Sequence, residues 1–326
     1  MSLVRSCALL LLCFPTLVLA QQAADTDGEP KIALVKMPYS GSRNVQELSP
    51  VPDYLEQGGI VDFLTRMGVG LKPVETVRLT AEEEHEYGEW HRLGLANGHL
   101  AEIMAASTRD GYLTVGLLAN CSSLLGMLGG LQHSGPTGRP LRVGLVFVDS
   151  HGDFNTPETT LSGMLGGMPV AVAAGMALTN LRLESGLEPA LPTRYIVMVG
   201  VRDTDPLEQG LLDRSDVQHI SVADIRDRSA NLHEQMKRLS QLTDVIYVHV
   251  DMDVLDPGEV SGHPLTVADG PTSLDLAGAL AEMFAYEKVA ALGIASTPSG
   301  ERDPEGKSLQ AAYNLVAGAV QGVRRR

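Results

Sequence analysis

The chain has 326 residues and carries 40 acidic against 25 basic side chains, which gives a formal net charge of −15 at pH 7. This charge argues against nucleic acid and against an anionic membrane surface as partners, because both require a basic face on the protein. A chain of this length can bury the larger part of its unfolded surface within one domain.

Residues 1–20 are typical of a secretory signal peptide. Arg5 gives the positive n-region, residues 7–19 give the apolar stretch, and a small-residue cleavage site precedes Gln21. The apolar stretch is shorter than the about 20 residues that a membrane span needs, and Pro15 disfavours a buried helix. We therefore predict a secreted or periplasmic protein without a membrane anchor, a flexible N-terminal arm at 21–30 and a single domain at 31–326.

The cysteine content bears on how the mature protein is stabilised. Cys7 and Cys13 would leave with the signal peptide, so the mature chain would keep Cys121 alone. A single thiol excludes an internal disulfide, and we expect stability to come from an apolar core.

Short apolar, β-branched runs recur along the chain, at 32–35, 113–118, 141–148, 195–199, 245–250 and 289–294. Each run is nearly continuous rather than alternating, which is typical of strands that are buried on both faces of a parallel sheet. The stretches at 80–109, 222–241 and 273–286 have the charge pattern or the composition of helices. This alternation predicts an α/β fold with right-handed crossovers.

Two clusters of acidic residues and histidine follow two of these runs. Asp149, His151 and Asp153 stand at two-residue spacing, which places their side chains on one face of an extended backbone. The segment HVDMD at 249–253 repeats the pattern after a later run. One such cluster alone is also typical of a turn or a helix cap. Two of them favour a divalent-metal site, because buried carboxylates require a compensating cation.

The candidate residues follow the predicted strands closely. Cys121, Asp149, Asp203 and Asp251 each come directly after an apolar run or within a few residues of one. Ligands of an open parallel sheet bind outside the carboxyl ends of its strands. We therefore expect these four side chains to border one crevice.

Several motifs resemble those of the ureohydrolase family, which comprises arginases and agmatinases. The segment DSHGDFNTPETTLSGMLGGMP at 149–169 is similar to the family's first Asp-x-His-x-Asp signature, and HVDMDVLDP at 249–257 is similar to its second Asp-x-Asp signature. LLANCSSLLG at 117–126 occupies the place of another metal motif, and residues 50–64 resemble an N-terminal helix of the family. The match runs in family order through most of the chain.

The resemblance implies a three-layer α/β/α fold around an eight-stranded, mainly parallel sheet and a homo-oligomer, either a trimer or a hexamer. It also implies two divalent metal ions, with Mn²⁺ expected. Asp149 and Asp251 would bridge the two ions, and His151 and Asp253 would complete the coordination of one. Asp153 would bind the other ion and relay a proton during catalysis.

The implied reaction is cleavage of a C–N bond in a small guanidino or amidino compound, such as L-arginine or a related guanidino acid, with release of urea. VGVRDTDPLE at 199–208 resembles the arginase version of the loop that recognises the substrate's amino group. A run of acids after a strand is also common in ordinary turns. The positions that would bind substrate are Asn155, Ser162, Asp203, Asp205 and Glu208. Together they favour an amino-acid substrate over a simple amine.

One departure from the family pattern concerns the metals. The family's Asp-His pair is Asn120-Cys121 in this chain. A thiolate at Cys121 would replace an imidazole ligand and shift the preference of the site from Mn²⁺ towards Zn²⁺ or Fe²⁺. The alternative is that Cys121 is an inert packing residue.

Other departures concern catalysis. The family's catalytic His is Gly166, an Asn of its serine motif is Met164, and a late Glu falls near Ala295 or Ser296. His263 stands where the family has Thr, and it is a candidate to take over general acid–base work. An exposed loop histidine beside a proline is the alternative interpretation of His263.

The leading hypothesis is a secreted, arginase-like binuclear-metal hydrolase. The alternative is a non-catalytic or weakly active descendant that binds a guanidino or amino-acid ligand. Retention of the five Asp and His ligands favours the enzyme, whereas loss of the catalytic His and the late Glu favours the binding protein. A metal-dependent deacetylase of the same fold is disfavoured by the doubled Asp-x-Asp pattern.

Overall fold

A computed structural model describes residues 29–40, 49–136 and 138–326 of the chain. The predicted signal peptide and most of the predicted N-terminal arm lie outside these ranges. Within them, no helix has both the length and the apolar character that crossing a membrane requires.

The described residues contain nine strands, which form one sheet in which every pairing is parallel. They are β1 (Lys31–Met37), β2 (Gly70–Leu71), β3 (Glu75–Thr76), β4 (Leu113–Leu118), β5 (Val143–Val148), β6 (Ile196–Val199), β7 (Gln218–Ile220), β8 (Val245–Asp251) and β9 (Val289–Ala295). The strand order is β2-β1-β4-β9-β8-β5-β6-β7, and β3 also pairs with β1.

The sheet confirms the predicted fold class. The two-residue strands β2 and β3 lie one after the other along the outer edge of β1, so the sheet is eight strands wide, as expected. All six predicted runs form strands, although the runs predicted from 141 and 195 begin at Val143 and Ile196. Successive strand residues point to opposite faces, and apolar side chains are buried on both.

The helices of the described residues cover both faces of the sheet and complete the three layers. They are α1 (Val51–Gln57), α2 (Ile60–Arg66), α3 (Glu89–Arg109), α4 (Leu124–Gln132), α5 (Pro169–Ala173), α6 (Thr179–Glu184), α7 (Pro206–Leu212), α8 (Val222–Asp227), α9 (Ala230–Leu242), α10 (Ser273–Met283) and α11 (Lys307–Val323). The α3, α4, α5 and α6 helices pack on one face, whereas α1, α2, α8, α9, α10 and α11 pack on the other.

The helix predicted at 273–286 ends at Met283, and the other two predicted helices differ more from the structure. The helix predicted from residue 80 starts only at Glu89, because Gly88 has a φ of 104° that no right-handed helix contains. The helix predicted at 222–241 is broken into α8 and α9 at Arg228, which has a φ of 47°. A residue in the left-handed conformation ends a helix. The charge pattern does not indicate this conformation, so it did not predict the break.

The register of the central strands determines where the acidic clusters meet. Val148, at the end of β5, pairs with Val250 near the end of β8. The end of β8 in turn pairs with Ala295 of β9, which also pairs with Leu118 at the end of β4. The loops that follow β4, β5, β8 and β9 therefore leave the sheet side by side at its carboxyl edge.

Candidate metal centre

Four aspartates and the side chains that surround them converge at this edge. Asp149, Asp153, Asp251 and Asp253 are each at most 7% exposed. The converging side chains form three groups, and within each group the potential ligand atoms lie within 4.8 Å of one another. The groups are Cys121, Asp149 and Asp153; Asp149, His151 and Asp253; and Asp251, Asp253 and His263. The six predicted metal ligands are thus brought together, and His263 joins them.

His151 is held between two of these carboxylates. Its Nδ1 lies 3.1 Å from Asp253 Oδ2 and 3.5 Å from Asp149 Oδ1, and its backbone N–H donates to Asp149 Oδ1 at 2.7 Å. Burial alone would lower the pKa of His151, but the hydrogen bonds to Asp149 and Asp253 outweigh it and raise the pKa to about 12. In the protein alone, a proton on this ring therefore supplies positive charge to the cluster.

The aspartates show that more positive charge is needed. Burial and then repulsion from the neighbouring carboxylates raise the pKa values of Asp149 and Asp153 well above the usual range. Burial would also raise the pKa of Asp253, but its hydrogen bond with His151 lowers it to about 2. Buried carboxylates in this number are stable only with compensating cations. Carboxylate oxygens with an imidazole nitrogen are suitable ligands for divalent ions, so the residues fit a metal site.

Sequence reasoning missed Ser150, which stabilises one predicted ligand. Its Oγ donates to Asp253 Oδ1 at 2.8 Å, and its backbone N–H lies 3.3 Å from the same oxygen. Partners of this kind fix the orientation of a ligating carboxylate. The only signal in the sequence is that Ser150 stands between two predicted ligands.

Cys121 lies in a short turn, Cys121–Ser123, between β4 and α4, where it was predicted. The turn is capped by Asn120, whose side chain accepts a hydrogen bond from Ser122 N–H. The Cys121 thiol donates to Asp251 Oδ2 with Sγ and the oxygen 2.7 Å apart, and Sγ lies 4.0 Å from Asp149 Oδ2. Burial and then the adjacent carboxylates raise the pKa of the thiol, so the proton stays on sulfur in the protein alone.

His249 was grouped with the second acidic cluster by its spacing, but the structure places it in the core. It is 0% exposed, its ring stacks on Phe147 with centroids 5.6 Å apart, and its Nδ1 lies 2.8 Å from Tyr247 Oη. It belongs to none of the ligand groups formed by the described residues. Burial lowers its pKa to about 3, so the ring stays neutral.

A sharp bend of the backbone at Asp153 separates the predicted metal ligands from the loop that follows. Asp153 has a φ of 47°, a conformation that Asp tolerates better than most residues. Its carbonyl oxygen accepts the N–H of Val170 at the start of α5. The chain therefore leaves the direction of β5 at the last ligand of the first cluster.

Glu208 joins this loop to the segment after β6. Its carboxylate accepts the N–H groups of Phe154 at 2.7 Å and Asp205 at 3.0 Å, and the residue is only 3% exposed. Burial raises its pKa. Both carboxylate oxygens are thus engaged by the backbone, and Glu208 positions the two loops. Its predicted contact with substrate stays a prediction.

The other predicted substrate residues lie around the same loops. Asn155 Nδ2 donates to Asp205 Oδ2 at 3.1 Å. Asp203 forms a backbone bridge with His151, and the exposed Ser162 accepts the N–H of Met164 through Oγ. These side chains lie at one opening of the cavity. Their contacts with a substrate stay predictions.

These residues line a cavity of about 550 Å³. Its described lining contains neither lysine nor arginine, and Cys121 lies behind the wall rather than in it. The lining residues are Asn120, Asp149, His151, Asp153, Asn155, Leu161, Ser162, Met164, Gly166, Gly167, Asp203, Thr204, Asp205, Glu208, Asp251, Asp253, His263, Pro264, Leu265 and Ser296. The cavity is therefore suited to a small cationic molecule.

The positions that depart from the family pattern also border the cavity. Gly166 and Ser296 are both in the wall, so neither the imidazole nor the carboxylate expected there is present. His263 is only 7% exposed, and its Nε2 lies 3.8 Å from Asp251 Oδ1. The alternative interpretation of His263 as an exposed loop residue is therefore wrong.

Known proteins share both the sequence pattern and the fold. The profile of the Arginase family matches residues 99–320. Human mitochondrial arginase-2 is 29% identical over 69% of this chain and 66% of its own length, so the match spans slightly less than two thirds of that protein. The arginase of Bacillus caldovelox is 25% identical over 74% of this chain and 82% of its own.

Two solved structures show the same fold. The arginase from Bacillus subtilis superposes with a TM-score of 0.76 at 21% identity, covering 89% of this chain and 98% of that one. The formimidoylglutamase from Bacillus subtilis subsp. subtilis str. 168 has a TM-score of 0.69 at 17% identity, covering 92% and 89%. At these identities the likeness concerns the fold alone.

Proposed function

The chain belongs to the arginase family of hydrolases, and from that premise we propose that it uses two divalent metal ions to cleave a C–N bond in a guanidino or amidino compound. The observation that carries the proposal is the convergence of four buried aspartates and His151 at the ends of β5 and β8. From a guanidino substrate the product would be urea.

The chemistry follows from the ligand set. Two bound dications would lower the pKa of a shared water molecule and stabilise negative charge on its oxygen as that oxygen attacks the substrate carbon. Asp149 and Asp251 would lie between the two ions, and His151 and Asp253 would hold one of them. Asp153 lines the cavity and would orient the attacking water and pass a proton to the leaving amine.

For the metal we propose Mn²⁺, because the aspartates and His151 offer oxygen and nitrogen donors. Zn²⁺ or Fe²⁺ would be the better match if Cys121 contributes a thiolate. Metal content of protein loaded from an equimolar mixture of these ions would decide between them.

For the substrate we propose L-arginine or a related guanidino acid. The acidic side chains of Asp203 and Asp205 at the cavity would attract a cationic amino group, and Asn155 and Ser162 would face a carboxylate. Family membership and the intact metal cluster support a hydrolase rather than a protein that only binds such a compound.

The test replaces the two bridging ligands by isosteric amides. Asp149→Asn and Asp251→Asn should each lose bound metal and all release of urea over a panel of guanidino compounds. Asp227→Asn is the matched control, because Asp227 is exposed at the end of α8. Parent-level metal content and turnover in both ligand variants would refute the proposal.

We also propose that the protein is exported and assembles as a homo-oligomer, a trimer or a hexamer. The support for export is the signal-like composition of residues 1–20. Intact-mass analysis of the exported protein should give an N-terminus near Gln21, and light scattering should give three or six copies. A full-length chain inside the cell, or a monomer, would contradict these proposals.

A further inference from the structure

His263 carries a buried nitrogen for which the described residues provide no partner. The side chain is 4% exposed, it lines the cavity, and its Nε2 has no hydrogen bond with any described residue. The nearest carboxylate oxygen, Asp251 Oδ1, is 3.8 Å away, which is too far for a hydrogen bond. A buried polar atom without a partner costs free energy, so its presence at a cavity points to a ligand atom that it binds there.

The other ring nitrogen determines which chemistry Nε2 can perform. The backbone N–H of Leu265 donates to His263 Nδ1 at 3.2 Å. A nitrogen that accepts a hydrogen bond carries no proton, so the proton of the neutral ring is on Nε2. Nε2 is then a donor. It cannot also ligate a metal ion unless the bond from Leu265 breaks and the ring changes tautomer.

The loop that carries His263 is fixed by close packing. The backbone N–H of His263 donates to Val260 O at 2.8 Å. A Cβ added at Gly262 would overlap the carbonyl oxygen of Arg302, so only glycine allows the loop to lie against that segment. Pro264 further restricts the backbone of His263 to extended conformations. The imidazole is therefore held in place before any substrate binds.

Among the described residues of the cavity wall, one other imidazole could compete for this role. Of the described lining residues, only His151 and His263 carry an imidazole, and His151 is held through its Nδ1 by Asp149 and Asp253, among the predicted metal ligands. Gly166 offers no side chain. The proximity of His263 to Asp251 places its Nε2–H beside the metal cluster rather than at the rim.

We propose that His263 is a catalytic residue that donates a hydrogen bond through Nε2–H to the oxygen of the attacking water, and that it is not a metal ligand. This inference rests on the proposed function. As the water oxygen bonds to the carbon of the cationic guanidinium and the C–N bond breaks, both protons of the water pass in turn through Asp153 to the leaving nitrogen, which departs as an ammonium ion. The oxygen becomes the carbonyl oxygen of the product, and His263 keeps its own proton and its hydrogen bond throughout.

Three substitutions separate a donor from a ligand. His263→Gln keeps an N–H near the position of Nε2, whereas His263→Asn and His263→Ala do not reach it. All three should bind two metal ions as the parent does. Turnover should fall about 100-fold in His263→Asn and His263→Ala with little change in KM, which is typical of the loss of one preorganised donor. His263→Gln should stay within about 10-fold of the parent, because it keeps the donor.

A second pair of variants tests the placement of the ring. Gly262→Ala keeps the imidazole but forces the loop away from Arg302, so it should lose as much turnover as His263→Ala. Ser261→Ala is the matched control, because Ser261 is the exposed neighbour in the same loop. Equal turnover in Gly262→Ala and Ser261→Ala would contradict the fixed placement.

A measurement independent of activity reads the tautomer directly. In ¹⁵N-histidine-labelled protein loaded with diamagnetic Zn²⁺, the His263 signal, assigned by its loss in His263→Gln, should show the proton on Nε2. A proton on Nδ1, or loss of a metal ion in His263→Ala, would overturn the inference in favour of a ligand.

If the parent binds metal but hydrolyses no compound of the panel, the proposed function fails. If the parent is active and His263→Ala stays within a few-fold of it, only the inference on His263 fails.

Discussion

Replacing Cys121 by alanine and by histidine tests whether its sulfur is a metal ligand. Sγ lies 2.7 Å from Asp251 Oδ2 and 4.0 Å from Asp149 Oδ2, so an ion held by these two carboxylates would be within reach of the sulfur. In the protein alone the thiol keeps its proton, since burial raises its pKa. A dication in contact with sulfur reverses this balance and produces a thiolate.

The expected loss can be estimated from the ligand count. Residues that only support a ligand contribute about 10- to 100-fold to metal affinity, which corresponds to about 1.4–2.7 kcal/mol. If Cys121 is a direct ligand, Cys121→Ala should lower the affinity for one of the two ions by at least about 100-fold. The other ion, held by His151 and Asp253 on the far side of Asp149, should be unaffected. Cys121→His should restore the affinity for Mn²⁺ relative to Zn²⁺.

The assay is metal content after dialysis against increasing chelator concentrations, together with thiol titration of the loaded and the chelated parent. Ser123→Ala is the matched control, because Ser123 lies in the same buried turn and its Oγ has no hydrogen bond in the described structure. Cys121 is 1% exposed, so reagent access requires local opening, and bound metal should slow the reaction. Equal thiol reactivity in both forms, with two tightly bound ions in Cys121→Ala, would show that the cysteine only packs.

Two further predictions concern stability. Glu208→Ala leaves the buried N–H of Phe154 and the partly buried N–H of Asp205 without their acceptor. It should lower the free energy of unfolding by about 1–3 kcal/mol, measured by urea denaturation, and an unchanged free energy of unfolding would contradict the positioning role. The second concerns Asp224 of α8: burial alone would raise its pKa, but hydrogen bonds from Ser229 and Ser221 lower it to about 2. Because the folded pKa lies below the unfolded one, the stabilisation is present above about pH 4 and is lost as the pH falls towards 2. For this largely exposed group Asp224→Asn should cost about 1 kcal/mol at pH 7 after allowing for solvent screening, and a difference that does not shrink on acidification would refute this assignment.

The strands were predictable because a strand that is buried on both faces of the sheet is apolar at nearly every position. Val146 and Val148 face one layer of helices while Leu145 and Phe147 face the other, so the run is apolar at every position. The adjacency of the acidic clusters followed once both were placed at carboxyl ends of neighbouring strands. The ends of the helices were harder to predict, because the break at Arg228 depends on one backbone angle that the charge pattern does not reveal.

The role of individual polar residues at the site was harder to predict, because it depends on partners distant in the chain. Glu208 carries the charge expected of a substrate contact, yet both its oxygens are taken by backbone N–H groups of two other segments. His249 has the spacing of a ligand but points into the core beside Tyr247. Spacing reports which face a side chain occupies, whereas the hydrogen bonds that decide its chemistry come from elsewhere in the fold.

The departures from the family pattern are connected in space. A Cβ at Gly166 would lie 3.3 Å from Nδ2 of Asn120, the neighbour of Cys121, so these changes border the same part of the cavity. By contrast, the contacts of His151 with Asp253, on the other side of Asp149, retain the expected residues. One ion should therefore be bound as elsewhere in the family, and the changed chemistry should be confined to the other. On this reasoning, differences in metal preference and in catalysis have one common origin, the surroundings of the ion nearest Cys121.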